Sequence, residues 1–387
     1  MQTELADFIR DTPQGREAEA ILRKCVHCGF CTATCPTYQV LGDDLDSPRG
    51  RIYLMKRALE GAPVTERTRL HLDRCLTCRA CETTCPSGVR YGRLVDIGRA
   101  VVEERTRRGP WDRLRRGALA AFLPRKGLFK AALWLGQMFL RNKARPAGAW
   151  PAARHQRKML ALAGCVQSSL APSINAAAAR VLDRAGISLI EVPGAGCCGA
   201  LRFHLNYQDE GRDDMRALID AWWPLVERGE VEAMVMTASG CGVTVRDYVH
   251  ILAEDPAYRD KAARISALTK DLSEVLPTPG KTKQGQKIAF HSPCTLQHGQ
   301  QIRGRVEALL TAAGYELTPV NDAHLCCGSA GTYSLLHSQI AGELRSRKLA
   351  SLQAGGPAQI ATANIGCLAH LQSGSELPVR HWIELLD

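Results

Sequence analysis

The sequence predicts a multidomain α+β chain, with an α-helical domain first and two repeated α/β modules with parallel sheets after it. Three observations carry this reading. Two cysteine runs of one form lie between Cys25 and Pro86. A second group of cysteines recurs at a nearly fixed offset, with similar strand and helix patterns around each copy. A strongly basic stretch separates the two halves. The expected division is a helical domain at 1–104, a basic amphipathic connector at 105–158, a first module at 159–254, a linker at 255–286 and a second module at 287–387.

The runs are Cys25-x2-Cys28-x2-Cys31-x3-Cys35-Pro36 and Cys75-x2-Cys78-x2-Cys81-x3-Cys85-Pro86. This is the form that a pair of [4Fe–4S] clusters uses, in which three cysteines wrap one cube and the fourth ligates the other. The expected ligand sets are Cys25, Cys28, Cys31 and Cys85 for one cluster, and Cys75, Cys78, Cys81 and Cys35 for the other. Pro36 and Pro86 remove a backbone donor and keep the chain from folding back over the fourth sulfur. Zinc or disulfides are the alternatives, but zinc has no need for a third and fourth cysteine at this spacing, twice, each followed by proline. Helical patterns between and after the runs make this a ferredoxin-like dicluster domain.

The connector concentrates the charge. Residues 105–158 hold fifteen Lys and Arg against Asp112 alone, a net +14, so a chain of net +11 leaves −3 for the rest. Leu128, Ala132, Leu135 and Phe139 fall on one helical face, flanked by Arg125, Lys126, Lys130, Arg141, Lys143 and Arg145, with Trp111, Trp134 and Trp150 nearby. Such a segment can lie in the headgroup layer of an anionic membrane. It can equally pack its apolar face on protein. Nucleic acid fits less well, because no reading motif accompanies the charge.

The second half is duplicated. Cys165, Cys197-Cys198-Gly199 and Cys241 form one set; Cys294, Cys326-Cys327-Gly328 and Cys367 form the other. The first two offsets are 129 residues and the third is 126. Strand-like runs precede the cysteines at 158–162, 187–192 and 231–236 in one copy, and at 287–290, 315–320 and 359–363 in the other. Helical patterns at 173–185, 209–228, 302–313 and 334–354 alternate with them. Each copy therefore reads β-α-β-α-β, which favours a parallel sheet covered by helices. The cysteines fall at the C-terminal ends of the strands, the edge where ligands collect in such sheets.

Those eight sulfurs are a candidate site for a further metal or iron–sulfur centre, against the alternative of buried cysteines acting as small hydrophobes. His291, His324 and His370 lie close enough in sequence to ligate or donate to sulfur. The string Gly194-Ala195-Gly196-Cys197-Cys198-Gly199 matches a dinucleotide fingerprint in form, but the second copy lacks the leading Gly-x-Gly. What the copies share is the cysteine pair, so the glycines serve a tight turn around sulfur.

Composition bounds the rest. A chain of 387 residues, 45% hydrophobic, suffices for two or three domains. Sixteen cysteines without a secretory leader imply a reducing compartment. The longest apolar stretch, 131–140, is half the roughly 20 residues a bilayer span needs, so a soluble or peripheral cytoplasmic protein is expected. No P-loop, flavin or nicotinamide site and no catalytic constellation stands out. An iron–sulfur protein without a substrate site passes electrons for a site elsewhere.

The chain resembles the iron–sulfur subunits of glycolate oxidase over essentially its whole length. The stretches that carry the resemblance are CVHCGFCTATCPTYQ (25–39), SPRGRIYL (47–54), LDRCLTC (72–78), CETTCPSGVRY (81–91), TASGCG (237–242), HLCCGSAGTY (324–333) and TANIGC (362–367). Related subunits serve lactate utilisation and anaerobic glycerol-3-phosphate dehydrogenase. The resemblance implies a partner subunit with FAD that oxidises glycolate, and D-lactate, with electrons leaving through this chain toward a quinone at the inner face of the cytoplasmic membrane. It implies no activity for the chain alone. The Cys-Cys-Gly copies also resemble those of heterodisulfide reductase, which end in C-x2-C; here Thr244 and His370 stand at the last position, so a five-cysteine cluster does not carry over. The alternative functions are a subunit of a related lactate or glycerol-3-phosphate dehydrogenase, or a thiol–disulfide redox enzyme working at these copies.

Overall fold

The structure, a computed structural model, describes residues 1–137, 146–281 and 285–387. Several helices of the first domain begin where the sequence supplies a side-chain cap, two of them with a proline directly after it. Thr12 caps Pro13–Lys24 and Ser47 caps Pro48–Leu59, each through its side chain, and Thr65 caps Glu66–Asp73. With Tyr91–Arg105 these helices bury Leu22, Met55, Leu59, Leu72 and Leu94 in one core. The cysteine runs occupy the loops between them. Cys35 immediately precedes the helix Pro36–Leu41, and Cys85 immediately follows Ala80–Thr84.

The duplicated half forms two four-stranded sheets, parallel throughout. In the first, β1 (Arg157–Ala161), β2 (Ile187–Glu191), β3 (Ala233–Met236) and β4 (Thr269–Asp271) lie in the order β2-β1-β3-β4. In the second, β5 (Lys287–His291), β6 (Glu316–Leu317), β7 (Gln359–Thr362) and β8 (Val379–His381) lie in the order β6-β5-β7-β8. The duplication survives in the register: Met159 faces Ala233 in one sheet, and Ile288 faces Gln359 in the other. The fourth strands are three residues long and polar in part, which hides them from a search for apolar runs. The stretch 255–286, expected as a linker, supplies the helix Arg259–Leu268 and β4 to the first sheet.

The two modules share a core. Ile174, Leu182 and Val235 of the first pack in one cluster with Ile288, Leu309 and Trp382 of the second. Polar contacts close the seam: Ser239 N donates to Ala363 O at 3.2 Å, and His381 Nε2 lies 2.8 Å from Thr237 O. The helical domain rests on both modules. Arg79 pairs with Asp247 of the first, Thr83 Oγ1 lies 2.9 Å from His298 Nδ1, and Tyr333 Oη donates to Arg74 O at 3.1 Å.

The connector contains the helices Pro110–Phe122 and Lys126–Gln137. Its charge is not one solvated face. Arg108 and Arg116 are buried and pair with Asp73 and Asp112, tying the segment to the helical domain. Lys126 Nζ donates to Ala195 O at 3.2 Å and Trp150 Nε1 to Leu189 O at 3.0 Å, so these two expected surface groups fasten it to the first module. Trp111, Leu114 and Leu128 remain exposed, together with Arg113, Arg125 and Lys130. Phe139, Arg141, Lys143 and Arg145 lie outside the described residues, as do the side chains of Ala132, Trp134 and Leu135.

Candidate metal centres

The two cysteine runs wrap their loops the same way. The second residue after the first cysteine, His27 or Thr77, and the fourth, Gly29 or Arg79, all have left-handed backbones, with φ of 58°, 53°, 86° and 59°. For His, Thr and Arg this conformation is strained, and such strain persists where surrounding structure enforces it, often at functional sites. The turn curls amide groups toward sulfur: Thr77 N donates to Cys75 Sγ at 3.4 Å.

Two cavities result. Cys25, Cys28, Cys31 and Cys85 line one, beside Arg49 and Pro86. Cys35, Cys75 and Cys78 line another, beside Arg51, and Cys81 borders both. The fourth cysteine of each run thus stands with the first three of the other. The donor chemistry fits [4Fe–4S] groups, which take thiolates and supply the positive iron such sets need. Without that charge the sulfurs repel ionisation. Burial and neighbouring sulfurs push the Cys78 and Cys81 thiols well above the ordinary range, and burial with the Cys25 sulfur pushes Cys31 up to about 11.

The cavities differ in electrostatics. Cys28, Val26 and Phe30 are exposed at the first. The second is ringed by buried cations. Arg51, 1% exposed, places Nη1 3.1 Å from Thr37 Oγ1 and 3.9 Å from Cys35 Sγ, while its Nε donates to His71 O at 2.7 Å. Arg99 reaches Leu72 O and Cys75 O at 2.8 and 2.7 Å. Burial would raise the Cys75 thiol, but Arg51, Arg99 and the Tyr91 hydroxyl outweigh it and hold this thiol below its usual value. Asp46, fully buried, balances the cations by accepting from Arg51 at 3.2 Å and Arg74 at 2.8 Å. With His71 and Asp43 it resembles a metal site in composition, but the two guanidinium groups already occupy its oxygens.

The other eight cysteines gather as two sets. Cys165 Sγ lies 3.5 Å from Cys197 Sγ in the first module, and Cys198 and Cys241 adjoin them. Cys294 Sγ lies 3.8 Å from Cys326 Sγ in the second, with Cys327 next to both Cys326 and Cys367. The shared glycine is required by geometry. Gly199 and Gly328 have φ of 79° and 91°, and a Cβ there would come within 2.4 Å of Gly211 O and 2.8 Å of Ala341 O. Among the three histidines, His291 lies beside Cys327 and Cys367, whereas His370 Nε2 meets Ala341 O at 3.1 Å. The sets are not equivalent to the helical domain: Leu76 and Cys78 pack with Cys294, Cys326 and Tyr333, so the second cavity adjoins the second module's sulfurs.

Arg51, Arg99 and Asp46 carry no signal of this role in the sequence. Arg51 stands within the stretch 47–54 that carries the family resemblance, but an arginine in an amphipathic helix reads as solvated until the partner loop at Cys75 is folded against it.

Residues 21–89 match the family described as 4Fe-4S dicluster domain, and residues 159–246 and 288–372 each match the family described as cysteine-rich domain. The chain is 51% identical to the glycolate oxidase iron-sulfur subunit of Escherichia coli (strain K12), over 100% of this chain and 98% of that one. It is 28% identical to the probable glycolate oxidase iron-sulfur subunit of Bacillus subtilis (strain 168), over 93% and 90%. Lactate utilization protein A of the same Bacillus strain is 23% identical over 58% of this chain and 96% of its own length. In structure the chain is similar to a hypothetical protein from Helicobacter pylori, with a TM-score of 0.53 at 10% identity, covering 97% of this chain and 72% of that one. That likeness concerns the fold alone.

Proposed function

Because the chain belongs to the family of glycolate oxidase iron–sulfur subunits, we propose that it takes electrons from an FAD-containing subunit that oxidises glycolate and D-lactate, and delivers them toward a quinone. The observation that carries this reading is the pair of adjoining cysteine-lined cavities, one bordered by the exposed Cys28, Val26 and Phe30 and one adjoining the sulfurs of the second module. The proposed ligands are Cys25, Cys28, Cys31 and Cys85 for the outer group, and Cys75, Cys78, Cys81 and Cys35 for the inner one. When bound, [4Fe–4S] groups accept and release single electrons, which lets a chain of this kind divide a flavin's electron pair. Val26 and Phe30, 69% and 63% exposed, offer apolar surface beside the outer cavity for the flavoprotein to cover. Arg51, Arg99 and Tyr91 hold negative charge at the inner one.

The test is reconstitution. The purified chain is expected to oxidise neither glycolate nor D-lactate, and addition of the flavin subunit is expected to restore electron flow to a quinone analogue. Turnover by this chain alone, pure and without flavin, overturns the reading. A second reading, thiol–disulfide reduction at the duplicated half, is favoured by the short sulfur–sulfur separations there. It requires substrate turnover that is lost with Cys197 or Cys326 and that needs no flavoprotein.

Delivery to a quinone places the subunit at the inner face of the cytoplasmic membrane. Among the described residues no helix is long and apolar enough to cross a membrane, and the exposed Trp111, Leu114 and Leu128 with Arg113, Arg125 and Lys130 form the surface suited to lie on one. Each basic residue near anionic lipid contributes about 1 kcal/mol, so Gln at the three basic positions is expected to weaken binding to anionic vesicles by roughly 100-fold. Cluster content should not change, because the cysteines lie elsewhere. If vesicle binding is unchanged and the flavin subunit no longer co-purifies, the surface is a protein interface instead.

A further inference from the structure

We propose that the second module, and not the first in the same place, binds a single soft divalent metal ion through His291 Nε2, Cys327 Sγ and Cys367 Sγ. A ring nitrogen of His291 and the two sulfurs lie within 4.8 Å of one another, and all three residues are buried. Two thiolates and one imidazole are a donor set for zinc or a like ion, and three protein ligands leave a fourth tetrahedral position free. Cys326, whose sulfur adjoins that of Cys327, offers a further donor.

The histidine is the independent observation. His291 is 2% exposed and ends β5. Its Nδ1 lies 3.0 Å from Thr362 Oγ1 on the neighbouring strand, while Nε2 is buried with no hydrogen-bond partner among the described residues. A buried ring nitrogen left without a partner is destabilising. The tautomer that donates Nδ1–H to Thr362 leaves the Nε2 lone pair free for a metal. A hydrogen-bond acceptor holding the ring from its far side, here the Thr362 hydroxyl, is the kind of support a ligating histidine uses.

The duplication supplies an internal control. The 129-residue offset puts Leu162 at the place of His291, and the 126-residue offset puts Met236 at the place of Thr362. The first module therefore fills this position with two apolar side chains and no polar cost. The fold does not need a histidine here. Lys348, 4% exposed, adds positive charge close to Cys326 and Cys327, where the 129-residue offset gives Ile219 in the first module. Binding is not a redox step: each thiol releases its proton to solvent as its metal–sulfur bond forms. The site is argued from the second module alone and does not rest on the electron-transfer reading.

The test compares the full chain with His291→Leu, the residue that the first module carries, and with Cys367→Ser. Each purified protein is stripped of labile metal, titrated with Zn2+, and analysed for zinc, iron and sulfide. Both variants are expected to bind one zinc ion fewer per chain than the parent, with iron and sulfide unchanged. Loading with Co2+ in place of zinc should give thiolate-to-cobalt absorption in the parent that either substitution diminishes. Unchanged iron and sulfide also report that the chain has folded. Equal zinc binding in parent and His291→Leu overturns the proposal. Iron and sulfide beyond the two clusters in the parent, lost together in both variants, overturns it in favour of an iron–sulfur centre.

Discussion

Replacing Cys85 by Ser is expected to remove the iron–sulfur group held by the first run, although Cys85 belongs to the second. Iron and sulfide per chain should fall by about half. The spectroscopic signal of the Cys75 loop should survive. The expectation follows from where the chain turns. Cys85 leaves the short helix Ala80–Thr84 with an extended backbone, φ −78° and ψ 114°, and lines the outer cavity with Cys25, Cys28 and Cys31. Cys35 has nearly the same backbone, φ −88° and ψ 109°, and lines the inner cavity with Cys75 and Cys78. Replacing Cys35 by Ser should therefore produce the reciprocal loss, sparing the first run. Loss at the Cys75 loop on mutation of Cys85 would sink the crossed assignment, and with it the division of the two cavities between the runs.

The turns of the two cysteine runs were legible because cysteine spacing is a local property. Three cysteines at x2 intervals, then one followed by proline, constrain a few turns of backbone, and the turns appear at His27, Gly29, Thr77 and Arg79 as the same left-handed positions in both runs. The parallel sheets were legible for a related reason: β1, β2, β3, β5 and β7 are short apolar runs alternating with helices. What was hidden depends on partners distant in sequence. β4 and β8 are strands only because β3 and β7 offer an open edge. Arg108 and Arg116 add to a basic segment on paper, yet their partner Asp73 lies in the helical domain. His291 was visible as one of three histidines near cysteines, but only the folded sheet separates it from His370.

The largest effect on both stability and redox balance is expected at Arg51. Its guanidinium, 1% exposed, bonds Asp46, Thr37 and the carbonyl of His71. Arg51→Met keeps the length of the side chain and removes the charge, leaving Asp46, fully buried, short of one cation. Breaking a buried pair from one side costs about 3–5 kcal/mol, a large share of a domain's stability. Arg51 also stands 3.9 Å from Cys35 Sγ and acts with Arg99 to favour charge on Cys75. Removing a positive charge there makes the inner group harder to reduce. At an effective dielectric near 20, a charge a few ångströms away is worth about 2–4 kcal/mol, which for one electron is on the order of 100 mV downward. The outer group, ringed by exposed residues, should shift much less. Arg51→Lys separates the two roles: it keeps the charge but loses the fork that holds Asp46, Thr37 and His71 together. Stability should fall in both variants, while the inner potential should fall clearly only in Arg51→Met. A redox titration followed by electron paramagnetic resonance, beside denaturant unfolding of the same proteins, reads the two quantities apart. If Met and Lys destabilise alike and neither moves the inner potential, Arg51 only holds the fold together, and the electrostatic difference between the two cavities does not reach the electrons.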